Sequence, residues 1–393
     1  MKRLILISLL SLSLGGCSSM GFLNPGNWGS DGKEREEPAE LIELEGSIPL
    51  ETRWTHSVGA GTDDFAVKLV PYVDAERVYV ADRNGLVQSL DRETGRVQWS
   101  RDTELDVSGG PGAGDGLVLL GTSEGEVVAL DPDSGSERWR SRVSSEILSV
   151  PRVDLGVVVV HTVDGKLFGL DAFSGAHIWI YDRSIPILTL HGSSSPLLDG
   201  GLVYSGFSNG KLAAMELTSG ELVWEASVSA PTGRSELERI VDIDGDPLLF
   251  RDVLYVTTFG GEMAAVSRDS GVVLWRRELS SHTGVGADWR QLYVSDDAGS
   301  VWAIDPRNGA GIWKNKKLRA RRLSPPAVLG DYVIVGDYEG YVHWFDQQDG
   351  KLVGRSRVGS DPISVAPVVV DGVAYIYGDG GDLAAVTLID STR

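Results

Sequence analysis

One frame recurs along the chain and limits what it can become: an Asp, a Gly four residues on, and a Trp four after that. It stands complete in SLDRETGRVQW (89–99), ALDPDSGSERW (129–139), GLDAFSGAHIW (169–179) and AIDPRNGAGIW (303–313). AMELTSGELVW (214–224) and AVSRDSGVVLW (265–275) keep the Gly and the Trp, and WFDQQDGKLVG (344–354) keeps Asp346 and Gly350 but loses the Trp. Before each copy lie two short apolar runs and a turn glycine: Gly85, Gly125, Gly165, Gly210, Gly261, Gly299, Gly340 and, in a last incomplete unit, Gly381. Asn84-Gly85, Asp164-Gly165 and Asn209-Gly210 are strong hairpin signals, because a tight hairpin needs positive φ. The unit therefore reads strand, turn, strand, hairpin, strand, Asp/Gly turn, strand. Four antiparallel strands in about 40 residues form a propeller blade, and eight turn glycines predict an all-β, eight-bladed β-propeller.

The residue types suit that geometry. Runs such as LVLL and VVVV fit strands covered on both faces by neighbouring blades. Asp turns the backbone through its own carboxylate, and Gly takes the left-handed position. The Trp starts the outermost strand, where blades diverge; its ring fills the wedge and its N–H can reach a carbonyl. The last unit, PVVVDGVAYIYGDGGDLAAVTL (367–388), stops after three strands, while ETRWTHSVG (51–59) offers an orphan outer strand with its own Trp54. Residues near 50–58 should complete the final blade and close the ring, leaving no open sheet edge. The propeller is expected to occupy 48–393 as one domain.

The amino terminus reads as a targeting segment. Lys2 and Arg3 precede the apolar run Leu4–Leu14, too short to span a bilayer, and LGGC ends at Cys17. This resembles the bacterial lipobox, which implies a signal peptide over 1–16, diacylation of Cys17 and, with Ser18 rather than Asp beside it, sorting to the outer membrane. Acyl chains would then be the sole membrane attachment. Residues 17–47, rich in Gly, Asn, Pro and Glu, read as a flexible lipidated linker. Cys17 is the only cysteine, so no thiol remains for a disulfide, a metal or nucleophilic catalysis. A net charge of −20 argues against nucleic acid as a partner and against adhesion to anionic lipid.

Several segments imitate chemistry. GTSEG (121–125) and GFSNG (206–210) match a nucleophile elbow, yet both lie at strand-to-strand hairpins rather than at a strand-to-helix turn. DIDGD (242–246) resembles the start of a calcium loop but lacks the later Gly and Glu. The six histidines have no metal-ligand spacing. WKNKKLRARR (313–322) is a basic island, either a solvated edge or a docking patch. Two connections exceed the repeat length, YDRSIPILTLHGSSSP (181–196) and EASVSAPTGRSELERIVDIDGDP (225–247). Insertions of this kind gather on one face of a propeller, often the binding face.

The repeats are similar to those of pyrroloquinoline-quinone enzymes, and the chain as a whole resembles the BamB family, lipoproteins of the outer-membrane β-barrel assembly (BAM) machine. The resemblance implies a non-catalytic scaffold without a cofactor, held on the periplasmic side of the outer membrane. Its expected partners are the POTRA domains of BamA, other BAM members and unfolded outer-membrane proteins. LTLHG stands for the family's L-x-L-R-G, which assigns partner binding to Leu188, Leu190 and His191, with His in place of Arg. The second loop contributes Arg239, Asp242 and Asp244. Two rivals remain: a quinone-dependent dehydrogenase, which usually carries a vicinal disulfide absent here, and a propeller binding carbohydrate or signalling peptides.

Overall fold

The computed structural model describes residues 36–44, 46, 48–182, 194–230 and 240–389. They form eight four-stranded antiparallel blades in chain order, and one of these gains a fifth strand. Blades 1 to 7 begin near residues 72, 107, 152, 197, 248, 285 and 327, and blade 8 near 368. In blade 8 the strand Leu50–Ser57 pairs with Asp382–Leu388, from Leu50 opposite Leu388 to Ser57 opposite Asp382. The amino-terminal strand thus closes the ring, as the truncated last repeat predicts.

Middle strands such as Val157–His161 and Leu117–Thr122 are buried throughout, because blades cover both of their faces. Outer strands alternate, with the Trp as their buried residue in Glu137–Arg142 and His177–Tyr181. Each outer strand carries a bulge beside the Trp position, which sharpens the local twist.

The spacing of Asp, Gly and Trp now has a physical cause that runs between blades. The indoles of Trp54, Trp99, Trp139, Trp179, Trp224, Trp275 and Trp313 each donate to a carbonyl in the next blade's Asp/Gly turn. The acceptors are Arg92, Pro132, Ala172, Leu217, Arg268, Pro306 and Gln347, at 2.8–3.0 Å. Each ring also presses on that turn's glycine; a Cβ on Gly175 would lie 2.5 Å from Trp139, and φ there is +72°. Only glycine meets both demands. Within its own blade each Trp faces a small residue, as Trp139 does Ala129 and Trp179 does Gly169. A buried indole removes roughly 150–250 Å² from water, an upper bound of about 4–6 kcal/mol apiece.

Three local expectations change. The WFDQQDGKLVG copy lacks the Trp at the latch position but keeps a large–small pair: the partners have exchanged strands, so that Trp344 faces Gly354 and is wholly buried. Blade 5 places positive φ at Gly260 rather than Gly261. Residues 36–44, which composition assigns to a flexible linker, instead lie against the propeller: the Ala39 N–H donates to Arg319 O, and the Arg355 guanidinium donates to Ile42 O.

Candidate functional site

Because antiparallel strands reverse direction, the ring has two distinct faces. The Asp/Gly turns and their Trp latches occupy one. The glycine hairpins and the links between blades occupy the other, here the loop face, and both overlong connections are such links. Leu188, Leu190, His191 and Arg239 lie outside the described residues, as does Cys17, but the returning ends of both loops are in place.

Those ends are tied together. The Ser195 N–H, closing the first loop, donates to Asp246 Oδ1, closing the second, at 2.5 Å. Ser195 Oγ accepts from the Val150 N–H at 3.0 Å, and the Ser194 carbonyl faces His161 Nδ1 at 3.1 Å. Burial lowers the His161 pKa to about 4, which leaves a neutral ring beneath the first loop. Lys68 Nζ completes the junction, 2.5 Å from Asp246 Oδ1. Lys68 belongs to the strand Lys68–Leu69, which pairs in parallel with Gly109 and Gly110 as the fifth strand of blade 2. The ion pair therefore joins the inner edges of blades 2 and 5.

The two acidic positions of the second loop part company. Asp242 is fully buried, between Ile240, Val241 and Ile243, and its carbonyl accepts the Phe259 N–H at 3.0 Å. Its carboxylate is thus shielded within the fold and does not stand at the surface as a direct partner contact would require. Asp244 is half-buried, and desolvation pushes its pKa up to about 6. His282 lies near it. Burial works against the charged imidazole, but Asp297 Oδ1, 2.6 Å from Nδ1, outweighs burial and raises the His282 pKa. Asp297 is itself held low: burial opposes its charge, and the His282 and Ser280 hydrogen bonds overcome that. Asp244 thus lies half-buried near an imidazole–carboxylate pair.

The imitations of chemistry resolve locally. Ser123 of GTSEG lies in a hairpin turn, where it accepts from Arg83 and donates to the Asp106 carbonyl. DIDGD runs into an inner strand, with Asp246 engaged by Lys68 and Ser195. Among the described residues no cluster of three or more His, Cys, Asp or Glu side chains is arranged to hold a metal ion, and no helix is long and apolar enough to cross a membrane. The Asp246 bridge escaped sequence reading because Lys68 lies 178 residues away.

Comparison with known proteins points one way. The family described as outer membrane protein assembly factor BamB matches residues 37–107 and 83–315. A protein of that name from Pseudomonas aeruginosa is 51% identical over 96% of this chain and 97% of its own length. Another, from Alkalilimnicola ehrlichii, is 51% identical over 91% of this chain and 94% of its own. Among solved structures, the crystal structure of BamB from Moraxella catarrhalis superposes with a TM-score of 0.79 at 27% identity, covering 86% of this chain and 100% of that one.

Proposed function

As this chain belongs to the BamB family of outer membrane protein assembly factors, we propose that it holds the POTRA domains of BamA through the two overlong loops of its loop face. It is a non-catalytic factor of outer membrane protein assembly, associated with that membrane as a member of the BAM complex. Anchoring through a lipidated Cys17, on the periplasmic side, belongs to the same reading.

The observation that carries this reading is the Ser195–Asp246 hydrogen bond, which sets the feet of the two loops side by side. Leu188 and Leu190 would fill an apolar groove, while His191, Arg239 and Asp244 set register by charge; aliphatic anchors inside a polar rim are the usual division of labour at an interface.

The test pairs Leu188→Asp with Asp244→Arg and follows co-purification with BamA from solubilised membranes. Retention should be lost while the protein stays folded. Undiminished retention would remove this interface. Asp242→Arg is unsuitable because it buries an unpaired charge and unfolds the blade.

A further inference from the structure

The ring has eight junctions and seven Trp latches. The junction from blade 7 to blade 8 has none, since Gly354 stands at the latch position and blade 8 lacks an Asp/Gly turn. The neighbouring wedge is filled from the amino terminus: a Cβ on Gly354 would meet Ile48 at 2.8 Å. Leu44 packs on the cluster of Tyr293, Phe345 and half-buried Trp313 between blades 6 and 7, and Ile48 on that of Ile334, Trp344 and Val386 between blades 7 and 8. Residues 36–44 and Ile48 thus lie along the outer edge of blade 7.

At its other end this strap meets the basic island. Arg319 pairs with Glu36. Arg321 is 3% exposed, is held by Asp337 at 2.7 Å and by Glu339, and donates to the Ala39 carbonyl at 3.0 Å. Ala320 and Arg322, on either side of Arg321, adopt positive φ, a strain that non-glycine residues keep only where surroundings impose it. Within the island Arg319 and Arg321 therefore hold the strap, while Lys316, Lys317 and Arg322 stay solvent-exposed.

We propose that Arg319 and Arg321 of the basic island and the unlatched edge of blade 7 form a docking site for the chain's own acidic strap, residues 36–44 with Ile48, so that the tether leaves the propeller from the loop face. On the reading that Cys17 is lipidated, docking shortens the free leash. Nineteen residues from Cys17 to Glu36 reach about 65 Å at full extension, against about 115 Å if the chain were free to Leu50. The face that offers the partner loops is also the face tied closest to the membrane.

Glu-C protease, which cuts after glutamate, reads docking directly at Glu40 and Glu43 of the purified full-length protein. Against a synthetic peptide of residues 31–49, cleavage in the intact protein should be at least about tenfold slower. Leu44→Asp should abolish that protection. Arg319→Glu should weaken it by about two- to fivefold, the range of an exposed ion pair, and adding Glu36→Arg should restore it. Cleavage of the intact protein at the peptide's rate would overturn the proposal. If Leu44→Asp fails to fold, the charge swap decides alone, and an Arg319→Glu effect that Glu36→Arg does not reverse counts against docking. No membrane enters the assay, so lipidation is judged separately by whether Cys17→Ala abolishes membrane association.

Discussion

The two faces of the ring have been put to different uses. On the latch face every junction but one repeats the same device, a Trp reaching into the next blade's turn, and the turn carboxylates are stabilised as anions. Hydrogen bonds from Arg138 and Ser134 bring the Asp131 pKa down to about 2, and Asp91, Asp171 and Asp305 are likewise held low by hydrogen bonds from their turns. On the loop face the links vary in length, an extra strand crosses, and carboxylates sit where burial disfavours their charge. Asp244 and Asp379 are both pushed up to about 6 by desolvation. Stability is concentrated where the repeat is strict, and variation is permitted where a partner could read it.

The sharpest way to break this contrast is to remove one latch. Trp139→Ala should destabilise the fold by about 3–5 kcal/mol in urea unfolding, and a loss below about 1 kcal/mol would show the latches to be incidental. Next, Gly175→Ala should cost about 1–3 kcal/mol, since it adds an overpacked contact to a strained φ. Gly156→Ala serves as its control: φ is +78°, but no atom lies within 4 Å, so only the strain of about 1 kcal/mol remains. Equal losses at the two sites would remove the inter-blade contact from the account.

Acid should act in opposite directions on Asp131 and on the pair Asp244 and Asp379. Asp131 has a folded pKa below its ordinary value of 3.8, so its contribution is complete above that value and is lost as pH falls toward 2. Asp244 and Asp379 have folded pKa values above the ordinary one, so they favour the folded state at low pH and withdraw that support as pH rises through about 6. Urea midpoints measured from pH 7 to 3 should therefore show Asp244→Asn reducing the gain between pH 7 and 4. Asp131→Asn should reduce the loss below 4. The smallest effect on stability is expected in the partner loop. Leu188→Asp should shift unfolding by less than about 0.5 kcal/mol while abolishing BamA retention, and a larger shift would mean that the leucine belongs to the fold.

Blade number, the closing strand and the role of Trp were legible because they rest on short-range periodicity repeated many times. The Trp344–Gly354 exchange was hidden because a search at fixed offsets in one strand cannot see its cross-strand partner. The strap was masked by its glutamates: only Leu41, Leu44 and Ile48, three or four residues apart, hint at a side that packs. Asp242 and Asp244 look alike in sequence, and only the packing of the folded chain buries the first completely and leaves the second half-buried. Lys68 and Asp246 meet through the ring's closure, which no local pattern encodes.

That closure also sets an order of events. Leu50 and its partner Leu388 are more than 300 residues apart, so the first strand of the propeller cannot find its place until the final hairpin exists. Contacts of such separation are slow to form. During that interval Leu50–Ser57 and the open side of blade 8 are both unpaired edges, available to chaperones or to a second molecule. Once they meet, no blade can leave without reopening the circle, and damage at either terminus is felt by all eight.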